Sequence, residues 1–583
     1  MVEPDHAQSL RSRAVQPTTL IGGVSSQPDE AIERAVATDL PVGESLDTDA
    51  AALGGDEPIE LTDLSWRRIQ LILRFRAGDG RPVDPDRLWL RNDDPARRPM
   101  PPTGTWTEGG ETFARYNVML GTNQVPLSPG RWTLGSSVLM AATPVVAGRL
   151  EALPVGRFPL QAVEYRVVPA VDPASRQLSL SISLDAIPVA PDRRSITARV
   201  KARIRWLGRR AQKRGFRWLL RVSRAVSPHN GRRILFTSNS RPALGGNLAL
   251  VHRRMVERGL HRSFELRALF KPGITARRPV RDRLRLAWLI ARADVIFVDD
   301  YHPVVYGLRD PKTRIVQLWH AYGSFKTFDY SRVGKPGAPS PYLRDHKNYA
   351  FVTVGSEEDV VPYAEAFLIP EERVVPTGVP RMDAFVEGSR RPGVREAALA
   401  PFPQAVGKKV ILFAPTFRGH GGRSATYPAS AVDLAALHEV CVEKDAVCVI
   451  RLHPHVKASL PIPAAFRDRI LEDRGTSTDV PDLLYATDLL VTDYSSILFE
   501  YAALGRPMLF YAFDLDDYRA TRDFYVDYES FVPGRIVRTF GELVEAIRHD
   551  DYQQEKVEPF ARRYLARVDG RAADRIIDLV LES

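Results

Sequence analysis

Two histidines, two arginines and a run of hydroxyls each follow closely behind a short apolar run. His320 comes after Ile315-Val316-Gln317-Leu318, and Arg451 and His453 come after Val447-Cys448-Val449-Ile450. Arg418 lies just past Val410-Ile411-Leu412-Phe413, and Leu489-Leu490-Val491 runs into Thr492-Asp493-Tyr494-Ser495-Ser496. Imidazole takes up and releases protons near neutral pH. Guanidinium matches the geometry of phosphate oxygens. Hydroxyls at a helix start sit beside unpaired N–H groups and the positive end of the helix dipole. Arg418, Arg451, His453, Thr492, Ser495 and Ser496 therefore form a set that fits a pyrophosphate. Each has a plainer reading when taken alone. A Ser-Ser pair caps a helix as readily as it binds a phosphate, and a single histidine is more often a structural hydrogen-bonder. Two histidines, each just beyond a strand in a different half of the chain, are harder to explain that way.

The elements that must position these groups are legible from periodicity. Residues 480–517 read as a short amphipathic segment, a buried strand, a polar turn, a helix from Ile497 to Leu504 ended by Gly505 and Pro507, and the strand Met508-Leu509-Phe510-Tyr511. The same alternation begins at Arg232. Ile234–Phe236, Leu266–Leu269, Val295–Val298, Ile315–Leu318 and Phe351–Val354 read as parallel strands of one doubly wound unit, placed at 229–388. Residues 390–409 are rich in Pro, Gly and Arg and read as a linker. A second unit, placed at 389–583, has Val410–Phe413, Val447–Ile450, Ile470-Leu471, Leu489–Val491 and Met508–Phe510 as strands. The predicted fold class is α/β, with two facing Rossmann-like doubly wound domains and a ligand cleft between the carboxyl ends of their strands. Closing helices are expected over 560–581, crossing back to the first unit.

Upstream the pattern changes. Residues 1–57 show little periodicity and read as a disordered tail. Residues 58–190 carry short alternating runs, clearest at Leu178, Leu180, Ile182 and Leu184, and read as a small all-β sandwich with an accessory or docking role. Between Arg193 and Arg224 stand thirteen Lys/Arg and no acidic residue, so the net charge of +10 belongs to this one segment. Its apolar residues recur at three and four, with Trp206 and Trp218 among them, while Gly208 and Gly215 weaken a single continuous helix. A basic amphipathic helix over 191–228 suits an anionic membrane surface. A solvated linker helix and a nucleic-acid patch are the competing readings, and the membrane is preferred because aromatics accompany the long apolar repeat.

Composition excludes several classes. Hydrophobic content of 44% and charged content of 26% are those of an ordinary globular protein. Cys441 and Cys448 are too few and wrongly spaced for a zinc site, and a reducing compartment is the default. The first thirty residues hold no secretory h-region and no stretch of eighteen apolar residues occurs, so a location on the cytosolic side is expected. No carboxylate cluster has metal-ligand spacing; Asp299 and Asp300 are adjacent, and adjacent residues on a strand point to opposite faces.

Six linked segments carry a resemblance: QLWHAYGSFKTF (317–328), VTVGSEEDVVPYAEAF (352–367), PTGVPRMDAF (376–385), ILFAPTFRG (411–419), VIRLHPHV (449–456) and 480–518. In order and spacing they resemble the CDP-glycerol glycerophosphotransferases, the polyol-phosphate polymerases of teichoic-acid and capsule synthesis, over roughly 232–580. The first departs from the family's tryptophan-histidine-glycine-threonine-proline form at Ala321, Tyr322 and Gly323. The resemblance implies a GT-B fold. It implies transfer of glycerol or ribitol phosphate from a CDP-activated donor to a hydroxyl of a lipid-linked polyol-phosphate or saccharide acceptor, with CMP leaving, at the cytoplasmic face of the membrane. It assigns His320 as the base, and His453 as a phosphate ligand that also serves as a proton donor. Arg381 and Asp383 would shape the cleft or contact the donor. Glu500 would accept from ribose or polyol hydroxyls, or stand as a solvent-facing helix carboxylate. No tightly bound cofactor and no nucleic acid are implied; Mg²⁺ carried by the donor pyrophosphate is left open. A GT-B glycosyltransferase using a sugar nucleotide and a non-catalytic membrane-binding scaffold are the alternatives, because fold alone does not separate them.

Overall fold

The computed structural model describes residues 59–582 apart from 122–123, 135–139, 143–154, 161–162, 173–176, 188–195, 272–275, 277, 307, 309, 336, 420–423 and 475–479. The expected disordered tail, 1–57, lies outside the described residues. The first described strands are β1 (Ile59–Arg67), β2 (Gln70–Ala77), β3 (Leu90–Asn92), β4 (Gly104–Glu108), β5 (Glu111–Asn117), β6 (Gly130–Leu134), β7 (Met140–Ala142), β8 (Gly156–Leu160), β9 (Val163–Val171) and β10 (Leu178–Ala186). They form two five-stranded sheets, β4-β5-β2-β1-β7 and β3-β6-β10-β9-β8. The alternating side chains of β2 (Leu71, Leu73, Phe75) and β10 (Leu178, Leu180, Ile182) enter one shared core with Trp132 and Tyr165.

The helix α1 (Ile196–Val226) follows as one unbroken run of 31 residues. Gly208 and Gly215 do not interrupt it; a Cβ at either would meet nothing within 4 Å, and the cost of each relative to Ala is about 1 kcal/mol. Its last turns are docked: Leu220 is buried, Phe216 and Leu219 pack on the same cluster, and Arg224 pairs with Asp310 at 2.9 Å.

Two six-stranded parallel sheets complete the chain, as the alternation predicts. The first holds β11 (Arg233–Thr237), β12 (Glu265–Leu269), β13 (Val295–Val298), β14 (Arg314–Gln317), β15 (Phe351–Thr353) and β16 (Val374–Val375). Its order is β12-β11-β13-β14-β15-β16. The second holds β17 (Lys409–Phe413), β18 (Ala446–Ile450), β19 (Ile470–Glu472), β20 (Leu489–Thr492), β21 (Met508–Tyr511) and β22 (Arg535–Val537), in the order β19-β18-β17-β20-β21-β22. The short edge strands β16 and β22 carry too few apolar residues to announce themselves. The order reverses between β11 and β13 in the first sheet and between β17 and β20 in the second, and at such switch points the loops part to leave a crevice.

Helices cover these sheets. Those that bear on the site are α2 (Gly246–Glu257), α3 (Val280–Arg292), α4 (Val360–Phe367) and α5 (Pro380–Ser389) of the first unit, and α6 (Ile497–Ala502) and α7 (Val557–Tyr564) of the second. The last helix, α8 (Ala572–Glu582), is contiguous with the second unit in sequence. Its Ile576, Ile577 and Val580 nevertheless lie in the first sheet's core with Ile234, Phe236 and Leu248, and Arg254 of α2 pairs with Asp574 at 2.9 Å.

The β1–β2 turn joins the pieces. Arg68, at φ +59°, pairs through Nε with the fully buried Glu365 of α4 at 2.6 Å, and its guanidinium lies 4.8 Å over the Tyr525 ring of the second unit. Arg67 donates to the Tyr525 carbonyl, and Gln70 donates to Glu365 at 3.1 Å. The all-β unit thus touches both parallel units at one point.

Candidate active site

The loop after β14 carries His320 and is strained where it leaves the strand. Trp319 takes φ +48°, a conformation that costs a bulky residue about 1–3 kcal/mol unless its surroundings impose it. Here they do. The buried Asn247 of α2 donates to the carbonyls of Leu318 (3.3 Å) and Trp319 (2.9 Å), Trp319 N–H donates to Gln317 Oε1 (3.0 Å), and the indole packs on Tyr301, Phe328 and Phe367. Asn247 also accepts from the Arg381 backbone N–H at 3.0 Å, which fixes the start of α5 against the same loop. His320 follows on this rigid base, its ring 4.5 Å from the Trp319 ring and its side chain 47% exposed. Asp300, beyond β13, lies 3.7 Å from Nδ1, so the free face of the imidazole is Nε2. Its neighbour Asp299 is turned inward to Arg241, so the two carboxylates point apart.

Downstream of His320 the loop meets the second unit. Gly323 sits at φ +70°, and a Cβ there would collide with the Phe499 ring of α6. Tyr322 packs tilted against the same ring at 5.6 Å and donates to the Tyr564 carbonyl at 2.9 Å. Phe325 enters the second unit's core against Phe524, Tyr528 and Phe531. Backbone pairing follows: Tyr525 N–H to Phe325 O at 3.0 Å and Thr327 N–H to Asp523 O at 2.9 Å, with Lys326 opposite Phe524. The departures from the family form at Tyr322 and Gly323 are therefore seam residues.

Lys326 emerges from this ladder among charges of the second unit. Burial, with Arg522 and Arg418 nearby, lowers its ammonium to about 8, Asp493 opposing. Sequence reasoning did not single it out, since nothing in the motif marks a cation whose charged neighbours, Arg418 to Arg522, lie about ninety to two hundred residues away. His453 belongs to the same group. Its Nδ1 accepts the His455 N–H at 3.2 Å, which leaves the proton on Nε2, and the ring packs on Phe417 at 4.8 Å. Burial, then His455, Lys326 and Arg522, push it down to about 4, so it is neutral at pH 7. In that state the imidazole presents an Nε2–H as a hydrogen-bond donor to an oxygen. Arg522, held over the Phe417 ring at 5.0 Å and donating to Gly419 O at 3.0 Å, is a further cation that the motifs did not mark.

Several expected phosphate ligands have other partners. Arg418 commits four of its five N–H groups: Nε and Nη2 hold Asp514 at 2.5 and 2.8 Å, and Nη1 holds Asp493 at 2.9 Å and the Thr416 carbonyl at 2.6 Å. Tyr494, Phe513, Tyr518 and Tyr427 enclose its guanidinium. Arg451 pairs with the buried Asp473. Thr492 donates to Ala414 O at 2.8 Å from a buried position. Asp383 accepts the Ala572 N–H at 2.9 Å and so anchors the start of α8. These four position the site's walls. Ser495 and Ser496 remain half-buried at the switch point; Ser495 Oγ accepts the Ile497 N–H at 3.4 Å, and Ser496 makes no cap hydrogen bond. Glu500 is not solvent-facing: it pairs across the seam with Arg381, burial raises its carboxyl, and its Oε2 is buried without a hydrogen bond. Among the described residues no group of three or more His, Cys, Asp or Glu is placed to hold a metal ion.

The cluster Lys326, Arg522 and His453 Nε2–H, with Ser495 and Ser496 at the neighbouring switch point, gathers at the far end of the His320 loop the cationic and hydroxyl groups that suit a diphosphate. Lys326→Met is expected to weaken nucleotide-donor binding about ten- to a hundredfold, the worth of one charge-assisted hydrogen bond. As pH rises through about 8 the amine loses its charge, so donor affinity of the native chain falls over that window. Calorimetric titrations at pH 7 and 9 should show that slope in the native chain and none in the variant.

The model of the CDP-glycerol:poly(glycerophosphate) glycerophosphotransferase family matches residues 219–582. The teichoic acid ribitol-phosphate polymerase TarK of Staphylococcus aureus is 43% identical over 62% of this chain and 71% of its own length. TarL of the same organism, also a teichoic acid ribitol-phosphate polymerase, is 42% identical over 62% of this chain and 64% of its own. Among solved structures, a variant of the wall teichoic acid polymerase TagF superposes with a TM-score of 0.50 at 23% identity, covering 60% of this chain and 89% of that one. This last likeness is one of fold.

Proposed function

Because the chain belongs to the CDP-glycerol:poly(glycerophosphate) glycerophosphotransferase family, we propose that it transfers a polyol phosphate, ribitol phosphate in the first instance, from its CDP ester to a hydroxyl of a lipid-linked acceptor. The relatives TarK and TarL, both named for ribitol phosphate, support that choice over glycerol phosphate. The acceptor oxygen attacks the phosphorus that carries the polyol, the bond from that phosphorus to the bridging oxygen of the diphosphate breaks, and CMP leaves. His320 Nε2 takes the hydroxyl proton, with Asp300 orienting the ring. Charge gathering on the leaving phosphate is met by Lys326, Arg522 and the His453 Nε2–H. The unpaired Glu500 Oε2 is available to a ribose or polyol hydroxyl. Mg²⁺ arriving on the donor diphosphate is compatible with this arrangement.

The observation that carries the reading is the contact of the His320 loop with the second unit, Gly323 against Phe499 and Lys326 among the charges beside His453. The test is product analysis by mass spectrometry on a synthetic lipid-linked acceptor, with CDP-ribitol, CDP-glycerol and UDP-sugars offered in parallel. CMP release with addition of one or more ribitol phosphates is expected. Release of UDP with sugar transfer would replace the reading.

Among the described residues no helix is long and apolar enough to cross a membrane. We place the chain instead as a peripheral protein on an anionic cytoplasmic surface through α1, whose Val200, Ile204, Leu207 and Trp218 are exposed, Ile204 at 62% and Trp218 at 64%. The neighbouring α3 adds exposed Val280 and Leu284. Replacing Ile204, Leu207 and Trp218 by serine is expected to abolish co-flotation with phosphatidylglycerol vesicles; undiminished flotation would remove the membrane role.

A further inference from the structure

Tyr301 lies in the loop after β13, the strand next to β14, and is 44% exposed. The exposed part is not its hydroxyl. Burial, then the Asp329 carboxylate, raise the phenol, so the oxygen end is turned inward. Asp329 is itself buried, 2.8 Å from Nε2 of the buried His346, and the Tyr301 ring stands edge-on to that histidine at 5.1 Å. A surface tyrosine ordinarily lays its ring on the protein and keeps its polar tip in water. Tyr301 is reversed, with its tip inside and aromatic carbon outside. The other large apolar side chains that the two parallel units expose sit on helices or in the linker before β17. Among the described residues Tyr301 alone shows such a surface at a strand's carboxyl end, where a ligand crevice lies.

The ring is tied to the base. Tyr301 N–H donates to Asp300 Oδ1 at 2.7 Å, and the same oxygen lies 3.7 Å from His320 Nδ1. The Trp319 indole touches both rings, Tyr301 edge-on at 5.4 Å and His320 at 4.5 Å. A molecule that brings a hydroxyl to His320 therefore has bare aromatic carbon beside it. A phosphate gains nothing from that surface, because the face of an aromatic ring carries the negative part of its quadrupole. The carbon skeleton of a polyol does gain. Its C–H groups can cover the ring while its hydroxyls stay turned to water or to polar partners.

We propose that the Tyr301 ring is the acceptor platform: the carbon skeleton of the acceptor's terminal polyol lies on it while a hydroxyl of that unit meets His320. The proposal rests on the polyol-phosphate reading above and names the residue that orients the acceptor. The ring supplies contact area and direction but no proton, so its loss is felt in acceptor binding ahead of the chemical step. The base keeps its place without it, since the backbone at Trp319 is held by Asn247 and Gln317.

Two measurements test it on the full-length protein. A synthetic ribitol–phosphate–ribitol diester is titrated calorimetrically without donor, and CMP release is followed with CDP-ribitol while a lipid-linked ribitol-phosphate acceptor is varied. Tyr301→Ala should weaken the diester and raise the acceptor KM about tenfold, the worth of covering part of an aromatic ring. Donor affinity should stay native, and the fall in kcat/KM should come through KM. Tyr301→Phe keeps the carbon face, removes the hydroxyl and should bind the diester as the native chain does. Melting curves check each variant, and Tyr301→Leu, which fills the place without an aromatic face, replaces an alanine variant that does not fold. Native diester affinity in a folded Tyr301→Ala or Tyr301→Leu variant overturns the platform. So does a fall in kcat with the acceptor KM unmoved, the pattern of a residue that only supports the loop. A Tyr301→Phe variant as weak as Tyr301→Ala, or a native chain that does not bind the diester, overturns it as well. Failure of the function itself reads differently: the native chain then releases no CMP from any CDP-polyol, and the diester titration still decides the platform.

Discussion

Replacing His320 by alanine is expected to lower the rate of polyol-phosphate transfer by about 10²–10⁴-fold while leaving the fold and the donor affinity as they were. The side chain is half exposed and its one polar neighbour, Asp300 at 3.7 Å, is itself bonded to the Tyr301 N–H at 2.7 Å. Little native structure depends on the imidazole, so the stability change should stay within about 0.5 kcal/mol, as for other surface sites. The strain of the loop resides in Trp319, which is held from α2 and is untouched by the substitution. Single-turnover CMP release and a calorimetric donor titration separate the two effects. A folded variant that keeps most of the native rate would remove His320 from the chemistry, and with it the reason for the seam to bring that loop here.

Arg418→Met should do the reverse, costing about 3–5 kcal/mol of stability because two carboxylates lose their partner in a buried setting. Asp493 is only 1% exposed. Its Oδ1 accepts the Thr416 N–H at 2.8 Å, its Oδ2 is held by Arg418, and the arginine's other edge closes on Asp514. The pairing ties the loop after β17 to the loops after β20 and β21, so the switch point of the second sheet loses its frame. Urea denaturation should show a midpoint shift of that size, and Arg418→Met/Asp514→Asn should recover part of it by removing one stranded charge. A ligand arginine would behave otherwise: unchanged midpoint, weakened donor binding. That pattern would return Arg418 to the phosphate.

The contrast shows what was legible beforehand. Buried parallel strands leave unbroken apolar runs, and Val295–Val298 or Leu489–Val491 could be placed almost to the residue. The polar residues behind them could be assigned to the strand ends, hence to the two crevices. Their partners could not. Arg418 and Asp514 are 96 positions apart, Arg451 and Asp473 22, Asp383 and Ala572 189, and no periodicity relates such pairs. A sequence therefore shows where charge collects without showing which charges cancel. Lys326 is the converse case, an unremarkable lysine in a loop that acquires meaning only when that loop crosses to the other sheet.

The course of α8 bears on synthesis as well as on shape. Ile576, Ile577 and Val580 finish a core whose first strand begins at Arg233, so everything from β17 to α7 is translated between the opening and the completion of that core. The intervening unit owns all six of its strands and can close while the earlier one still exposes Ile234, Phe236 and Leu248 to whatever surrounds the nascent chain. Folding that ordinarily runs from the amino end is here inverted for one stretch. The half bearing His320 becomes whole only after the half bearing His453.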